Sequence, residues 1–349
     1  MEAYLDWQKK SGGIKLNDVI EEFKYVYKGQ EVKAGDFVNY IEGIASKVDY
    51  GESVDTQLST NNYTGYTISA VQLDENRIFI AHNYDSTYYD LYGIVVTING
   101  ATISVGTDTA IGTGNGTRIS AVKLDDNKVF IAHCYDGGRL CAIVVTISGE
   151  TITAGTYTQL NTNSYAGDEI SAVLLPNGNV FIAHSYGSNY YLYGMVVSIS
   201  GTTITAGSDT ALVSSSYAGS TISTCLLPNG NVFIAHSYGS SYYLYGIVCS
   251  ISGTTITKGS DTQLTNNTNG EETAVSVQPL SNGNVFIVYT YSSRRYLYGM
   301  ICGVNGTAIT KGTDTALSTE SNAGSRISTV LLGENKYLVL HIISNVAYL

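Results

Sequence analysis

Five histidines are the whole complement of the 349-residue chain, and they fall at His82, His133, His184, His236 and His341. The steps between successive positions are 51, 51, 52, 53 and 52 once Tyr289, which takes the place of a sixth histidine, is counted. Each lies near the start of a copy of "VFIAHSYGSNYYLYG" (Val180–Gly194). Imidazoles repeated at a fixed interval suggest two chemistries. They could converge on a metal, which needs several ligands at about 2 Å. They could act as bases, which needs an acid to orient each ring and a nucleophile in reach.

A repeat near 50 residues, present six times, points to a closed array of sheets. In the third copy four strands are expected: A (170–175), B (179–186), C (192–200) and D (203–212). No segment within the repeats has a 3.6-residue apolar period, which excludes a helical solenoid. The fold class expected is all-β: a six-bladed β-propeller of four-stranded blades. The last repeat stops after a remnant, "NVAYL", and lacks strand D. "GESVDTQL" (Gly51–Leu58) resembles "TAGSDTAL" (Thr205–Leu212), so an N-terminal strand is expected to close the last blade and remove open edges. Strand C of that blade could come from the C-terminus or from residues 36–44.

That array argues against both chemistries. Strand B would lie roughly 10 Å from the axis at strand spacings of about 4.8 Å, too far for six side chains to share a metal. If Asn177-Gly178 is a two-residue turn, Ser171 faces His184. The same counting pairs Ser69 with His82, Ser120 with His133, Ser223 with His236, Ser328 with His341 and Ser276 with Tyr289. The expectation is a structural serine–histidine hydrogen bond in every blade. No catalytic residue and no metal site is assigned. Asp108, Asp209, Asp261 and Asp314, with Asp55 in the closing strand, lack calcium-loop spacing and are read as charges guarding an outer edge.

The short A–B and C–D turns share one face, and the longer B–C and D–A loops share the other, where function normally gathers. Tyrosine dominates that face, among 29 in the chain against a single tryptophan. The candidate ligand-binding residues are Tyr84, Tyr88 and Tyr89 in blade 1, Tyr186, Tyr190 and Tyr191 in blade 3, and Tyr238, Tyr242 and Tyr243 in blade 4. Blade 5 adds Tyr291, Arg294 and Arg295. Exposed tyrosine offers a rigid contact area with a polar tip, which suits glycan or protein recognition.

Composition sets the outer limits. A formal net charge of −11 without a basic run argues against a nucleic-acid partner. No apolar stretch of 18 residues is present to insert in a membrane, and no secretory signal is seen. Five cysteines form no even framework and read as small buried hydrophobes in a reducing compartment. No cofactor is expected. Carboxylates such as Asp168, Glu169, Glu271 and Glu272 form no recognisable acid/base pair, so a polysaccharide depolymerase is disfavoured.

Residues 1–46 stand outside the repeat, leaving 47–349 as the propeller. Leu16–Gly29 has the pattern of a short amphipathic helix, and 31–43 is strand-like. "VKAGDFVNYIEG" (Val32–Gly43) resembles a short segment of structural proteins of phages and prophages infecting Gram-positive bacteria, where it precedes repeats rich in Gly, Ser, Thr and Tyr. The resemblance implies a non-enzymatic virion component assembled in the bacterial cytoplasm. Residues 1–46 would then bind other virion proteins, and the tyrosine face a host-surface glycan or protein. The alternative is a purely architectural tail, neck or capsid-decoration protein whose tyrosines make subunit contacts, including contacts between copies of the chain.

Overall fold

In a computed structural model the described residues are 67–348, apart from short loop segments (85–89, 101, 113–116, 136–137, 164–165, 168, 239–242, 267–273, 292–293, 323–326, 334–335 and 344–345), with 38–41, 44–47 and 57–58. The expected helix over Leu16–Gly29 lies outside the described residues, as does Gly51–Leu58 except for Gln57 and Leu58. Val38–Ile41 and Ile44–Lys47 pair with each other as an antiparallel hairpin, and of the two expected sources for strand C of the last blade it is the C-terminus that supplies it. That strand is Val346–Tyr348, paired with Lys336–Ile343.

Six sheets follow the repeat. In the third, strand A (Ile170–Leu174), strand B (Val180–Tyr186) and strand C (Tyr191–Ser200) are successive antiparallel neighbours. Strand D is not continuous. Its first half, Thr203–Ala206, and its second half, Thr210–Val213, both pair with strand C and are separated by a kink over Gly207-Ser208-Asp209. The same division recurs in the first, second, fourth and fifth sheets.

Gly207 explains the kink. Its N–H, like those of Gly106, Gly155 and Gly259, belongs to the stretch where the chain presses on strand C; the other three donate to the carbonyls of Val95, Val144 and Val248 at 2.8–2.9 Å. A Cβ on Gly207 would stand 2.3 Å from the Val196 carbonyl oxygen, so no other residue fits without moving the backbone.

The A–B turn differs from expectation. Leu174 pairs with Val180, Leu175 N donates to Asn179 O, and Gly178 N donates to Leu175 O. The loop is therefore three residues, Pro176-Asn177-Gly178, with Gly178 at φ +82° closing a type I turn as a bulge. One added residue shifts the register by one, and the side-chain period of two turns every strand A residue to the other face. Ile170, not Ser171, stands opposite His184, and Ser171 stands opposite Ala183. The expected serine–histidine pairs are thus absent, with the same register at Ile68/His82, Ile119/His133, Ile222/His236, Val275/Tyr289 and Ile327/His341.

The released serines stitch one strand A to the next. Ser69 Oγ accepts from Ala121 N at 2.9 Å, Ser120 Oγ from Ala172 N at 3.0 Å, and Ser171 Oγ from Thr224 N at 3.0 Å. Ser276 Oγ continues the series 2.6 Å from Thr329 Oγ1.

The core lies between sheets, not within them. Val180 and Ile182 pack with Phe130, Ala132 and Val144 of the preceding blade. Phe181 and Ala183, on the other face of the same strand, pack with Val232, Ile234 and Ile247 of the next. This is why strand B reads as an unbroken apolar run. The final interface differs: Ile301 and Leu317 are 52% and 45% exposed, whereas their counterparts Val248 and Leu264 are fully buried.

Candidate functional site

The kink in strand D aims the repeated aspartate inward. His184 Nε2 lies 2.9 Å from Asp209 Oδ1, and the same distance separates His82 from Asp108 and His236 from Asp261. These carboxylates do not guard an outer edge, as expected, but hold the histidines. Each Nδ1 faces the backbone carbonyl of the following residue, at 2.7 Å for His184 and Ser185. Both ring nitrogens therefore face oxygen acceptors, a backbone carbonyl on one side and the carboxylate on the other. Tyr289 makes the corresponding bond in blade 5, donating its hydroxyl to Asp314, and burial with that bond raises its pKa well above the ordinary value. Asp209 is held on both oxygens, since Asn161 of the preceding blade donates to Oδ2.

No serine joins these pairs, because the serines point to the opposite face. Among the described residues no group of three metal-ligating side chains forms. The pairs are fastenings between strand B and the strand D kink.

Blade 2 breaks the pattern twice. Tyr157 replaces the aspartate, and Cys141 replaces the strand C tyrosine that is Tyr193 in blade 3, each paired across from the blade's histidine. The two exchanges compensate in volume: the ring leaves strand C and returns from strand D, with its centroid 5.6 Å from His133 and 5.4 Å from Tyr135. The charge is not restored. His133 is fully buried, its Nδ1 faces Cys134 O at 3.2 Å, and burial lowers its pKa to about 4. Its Nε2 is buried without a hydrogen-bond partner, and the Tyr157 hydroxyl turns to the Cys141 thiol.

The tyrosine face was legible as a region but not residue by residue. Tyr186 stacks on Tyr193 at 4.1 Å between centroids, and Tyr291 on Tyr298 at 4.0 Å. Asn163 of the neighbouring blade donates to the Tyr186 hydroxyl at 2.7 Å. Tyr191 accepts from Asn189 at 3.0 Å, and Arg294 donates to the Tyr296 hydroxyl at 3.2 Å. Tyr190 has a partner the sequence did not single out, Tyr217 from the D–A loop. Their rings lie parallel within 15° at 6.3 Å. Both residues have left-handed backbones, φ +52° and +66°, as do Arg295 and Asn322 at the equivalent places in blade 5. Tyr217 N donates to Asn189 O and Gly219 N to Tyr190 O, clamping the two loops together. Tyr243 is half-buried at the start of its strand C. Tyr88, Tyr89 and Tyr242 lie outside the described residues, and Tyr84 and Tyr238 are placed only as strand backbone.

The aspartate–histidine pairs do leave a signal in the sequence. The interval from the strand B residue to the aspartate is nearly constant, from His82 to Asp108, His184 to Asp209, His236 to Asp261 and Tyr289 to Asp314.

No family model matches the sequence, and neither does any curated protein. Solved structures do match in shape. The SapL1 lectin, solved in complex with alpha methyl fucoside, superposes with a TM-score of 0.51 at 16% identity, covering 82% of this chain and 89% of its own. The Aleuria aurantia fungal lectin, described as a six-bladed β-propeller with a novel fucose recognition mode, gives 0.51 at 14% identity over 79% and 88%. The fold is that of a six-bladed β-propeller. A putative 6-phosphogluconolactonase from Bacteroides uniformis reaches 0.52 at 12% identity over 78% and 80%, so this likeness carries fold and not chemistry.

Proposed function

We propose that the chain is a non-enzymatic glycan-binding propeller whose B–C and D–A loops take a cell-surface carbohydrate. The observation that carries this is the Tyr190–Tyr217 pair. A left-handed backbone costs a non-glycine residue roughly 1–2 kcal/mol. Blade 2 shows the cheaper solution, Gly138 at φ +79° in the place of Tyr190. Strain kept at a loop tip to present two parallel rings suits a ligand with an apolar ring face and peripheral hydroxyls. The lectin neighbours support the same reading by analogy of fold.

The phage resemblance of Val32–Gly43 supports a place for the chain in a virion, with residues 1–46 as the attachment segment and the propeller directed at a Gram-positive surface. Closure of the ring by Gly51–Leu58 belongs to the same proposal. It is supported by the match of "VDTQL" (Val54–Leu58) to "SDTQL" (Ser260–Leu264) and by the uncovered Ile301 and Leu317.

Binding of the full chain to a glycan array and to whole Gram-positive cells tests the reading. Specific signals on both, lost in the Tyr190→Gly/Tyr217→Gly double variant, are expected. Signals that the double variant leaves undiminished would remove this face from the function.

A further inference from the structure

Between blades 1 and 2 lies a cavity of about 440 Å³, lined by Ala110, Ile111 and Gly112 of blade 1 and by Tyr135, Ile143, Gly155 and Tyr157 of blade 2. Its size falls within the roughly 300–1,000 Å³ of small-molecule sites. Two departures from the repeat surround it. The aspartate of the other blades is Tyr157 here. The position that is Asn161, Val213 and Thr265 at the next three interfaces is Gly112, where an added Cβ would meet only Leu91, at 3.6 Å. At the blade 2–3 interface the Asn161 side chain reaches Asp209. At the blade 1–2 interface neither the side chain nor the carboxylate is present.

We infer that this groove is a binding site for an uncharged pyranose ring, distinct from the Tyr190–Tyr217 face and resting on the reading of the chain as a glycan binder. Three features select the ligand. Two aromatic rings with centroids 5.4 Å apart, tilted by 60°, line it together with aliphatic side chains, and either ring offers a face to the C–H side of a sugar. No charged side chain lines the groove, so a uronate would lose its hydration without a counter-charge. Beside Tyr157 stands a buried, unpartnered polar atom, His133 Nε2, while the Tyr157 hydroxyl is engaged with the Cys141 thiol. With Nδ1 carrying the hydrogen, Nε2 accepts, while the phenol donates. A ligand hydroxyl, which both donates and accepts, matches Nε2 and the phenol together once the Tyr157 ring exchanges its weak thiol contact for the groove.

Titration of the full chain with a panel of methyl pyranosides, neutral and uronate, tests the site. The variants are Gly112→Asn, which restores the side chain of the neighbouring interface, and Ala110→Leu, which narrows the groove from an exposed position. Wild-type protein is expected to bind a neutral methyl pyranoside at least tenfold more tightly than its uronate. Both variants should lose one site or at least tenfold in affinity while keeping their melting temperatures. Unchanged binding in a folded Ala110→Leu protein, or preference for the uronate, would overturn the inference. The two readings separate in the Tyr190→Gly/Tyr217→Gly protein. Glycan-array binding lost there but kept in Ala110→Leu sinks the groove alone, and the reverse sinks the loop face alone.

Discussion

His184 and Asp209, 25 residues apart in sequence, meet at 2.9 Å because strand D breaks at Gly207 and turns its aspartate under strand C's edge toward strand B. The histidine ring is fully buried and the carboxylate largely so, at 19% side-chain exposure. The pair holds the kink, and the kink holds the loops beyond it. Asp209→Ala leaves a buried ring nitrogen and Asn161 without their acceptor. A loss of about 1–3 kcal/mol is expected in urea unfolding, with Asp209→Asn losing less because its amide oxygen still accepts from Nε2. Equal losses in both variants would show that the carboxylate charge, not the hydrogen bond, matters.

Gly207→Ala tests the kink directly. The added methyl would stand 2.3 Å from the Val196 carbonyl oxygen, so strand D must lift from strand C or the Asp209 bond must break. A destabilisation of about 2 kcal/mol or more is expected, larger than the roughly 1 kcal/mol gain that alanine brings where its backbone fits. Calorimetric melting measures it.

His133 gives the fold a pH dependence. Its pKa in the native protein is about 4, against an ordinary 6.5 in the unfolded chain. The unfolded state therefore binds more protons between those values. The stability that His133 contributes is fully present above pH 6.5 and is lost as pH falls from 6.5 toward 4, up to roughly 3 kcal/mol. Urea midpoints at pH 7 and pH 5 should show this loss in wild-type protein and less of it in His133→Leu.

Tyr190→Gly and Tyr217→Gly separate function from stability. Glycine relieves both left-handed backbones, so melting temperatures should hold or rise, by roughly 1 kcal/mol of stability per site. Glycan binding should fall at least tenfold. A fall in binding accompanied by unfolding would mean that the rings serve the loops and not a ligand.

The architecture was legible because its signals are periodic and local. Six copies of an apolar run fixed strand B, and Asn-Gly turn signals marked where strands A and B reverse. The five cysteines are indeed buried. The register was not legible, since "PNGN" supports a two- or a three-residue loop. The difference of one residue is enough to send Ser171 to Thr224 of the next blade instead of to His184. The aspartates were misread for a related reason. A continuous strand D would have left them at an edge, and only the clash that confines position 207 to glycine reveals the break.

The sequence by itself determined the all-β class, the repeat and the enrichment of one face in tyrosine, because composition and period act within a few residues. The tertiary structure alone decided which polar groups meet. Asp209 reaches His184, Tyr217 stacks on Tyr190, and Tyr157 fills the space of an absent strand C ring. Each of those contacts joins segments more than 20 residues apart, where the pairing of strands within a blade, and not local preference, selects the partner.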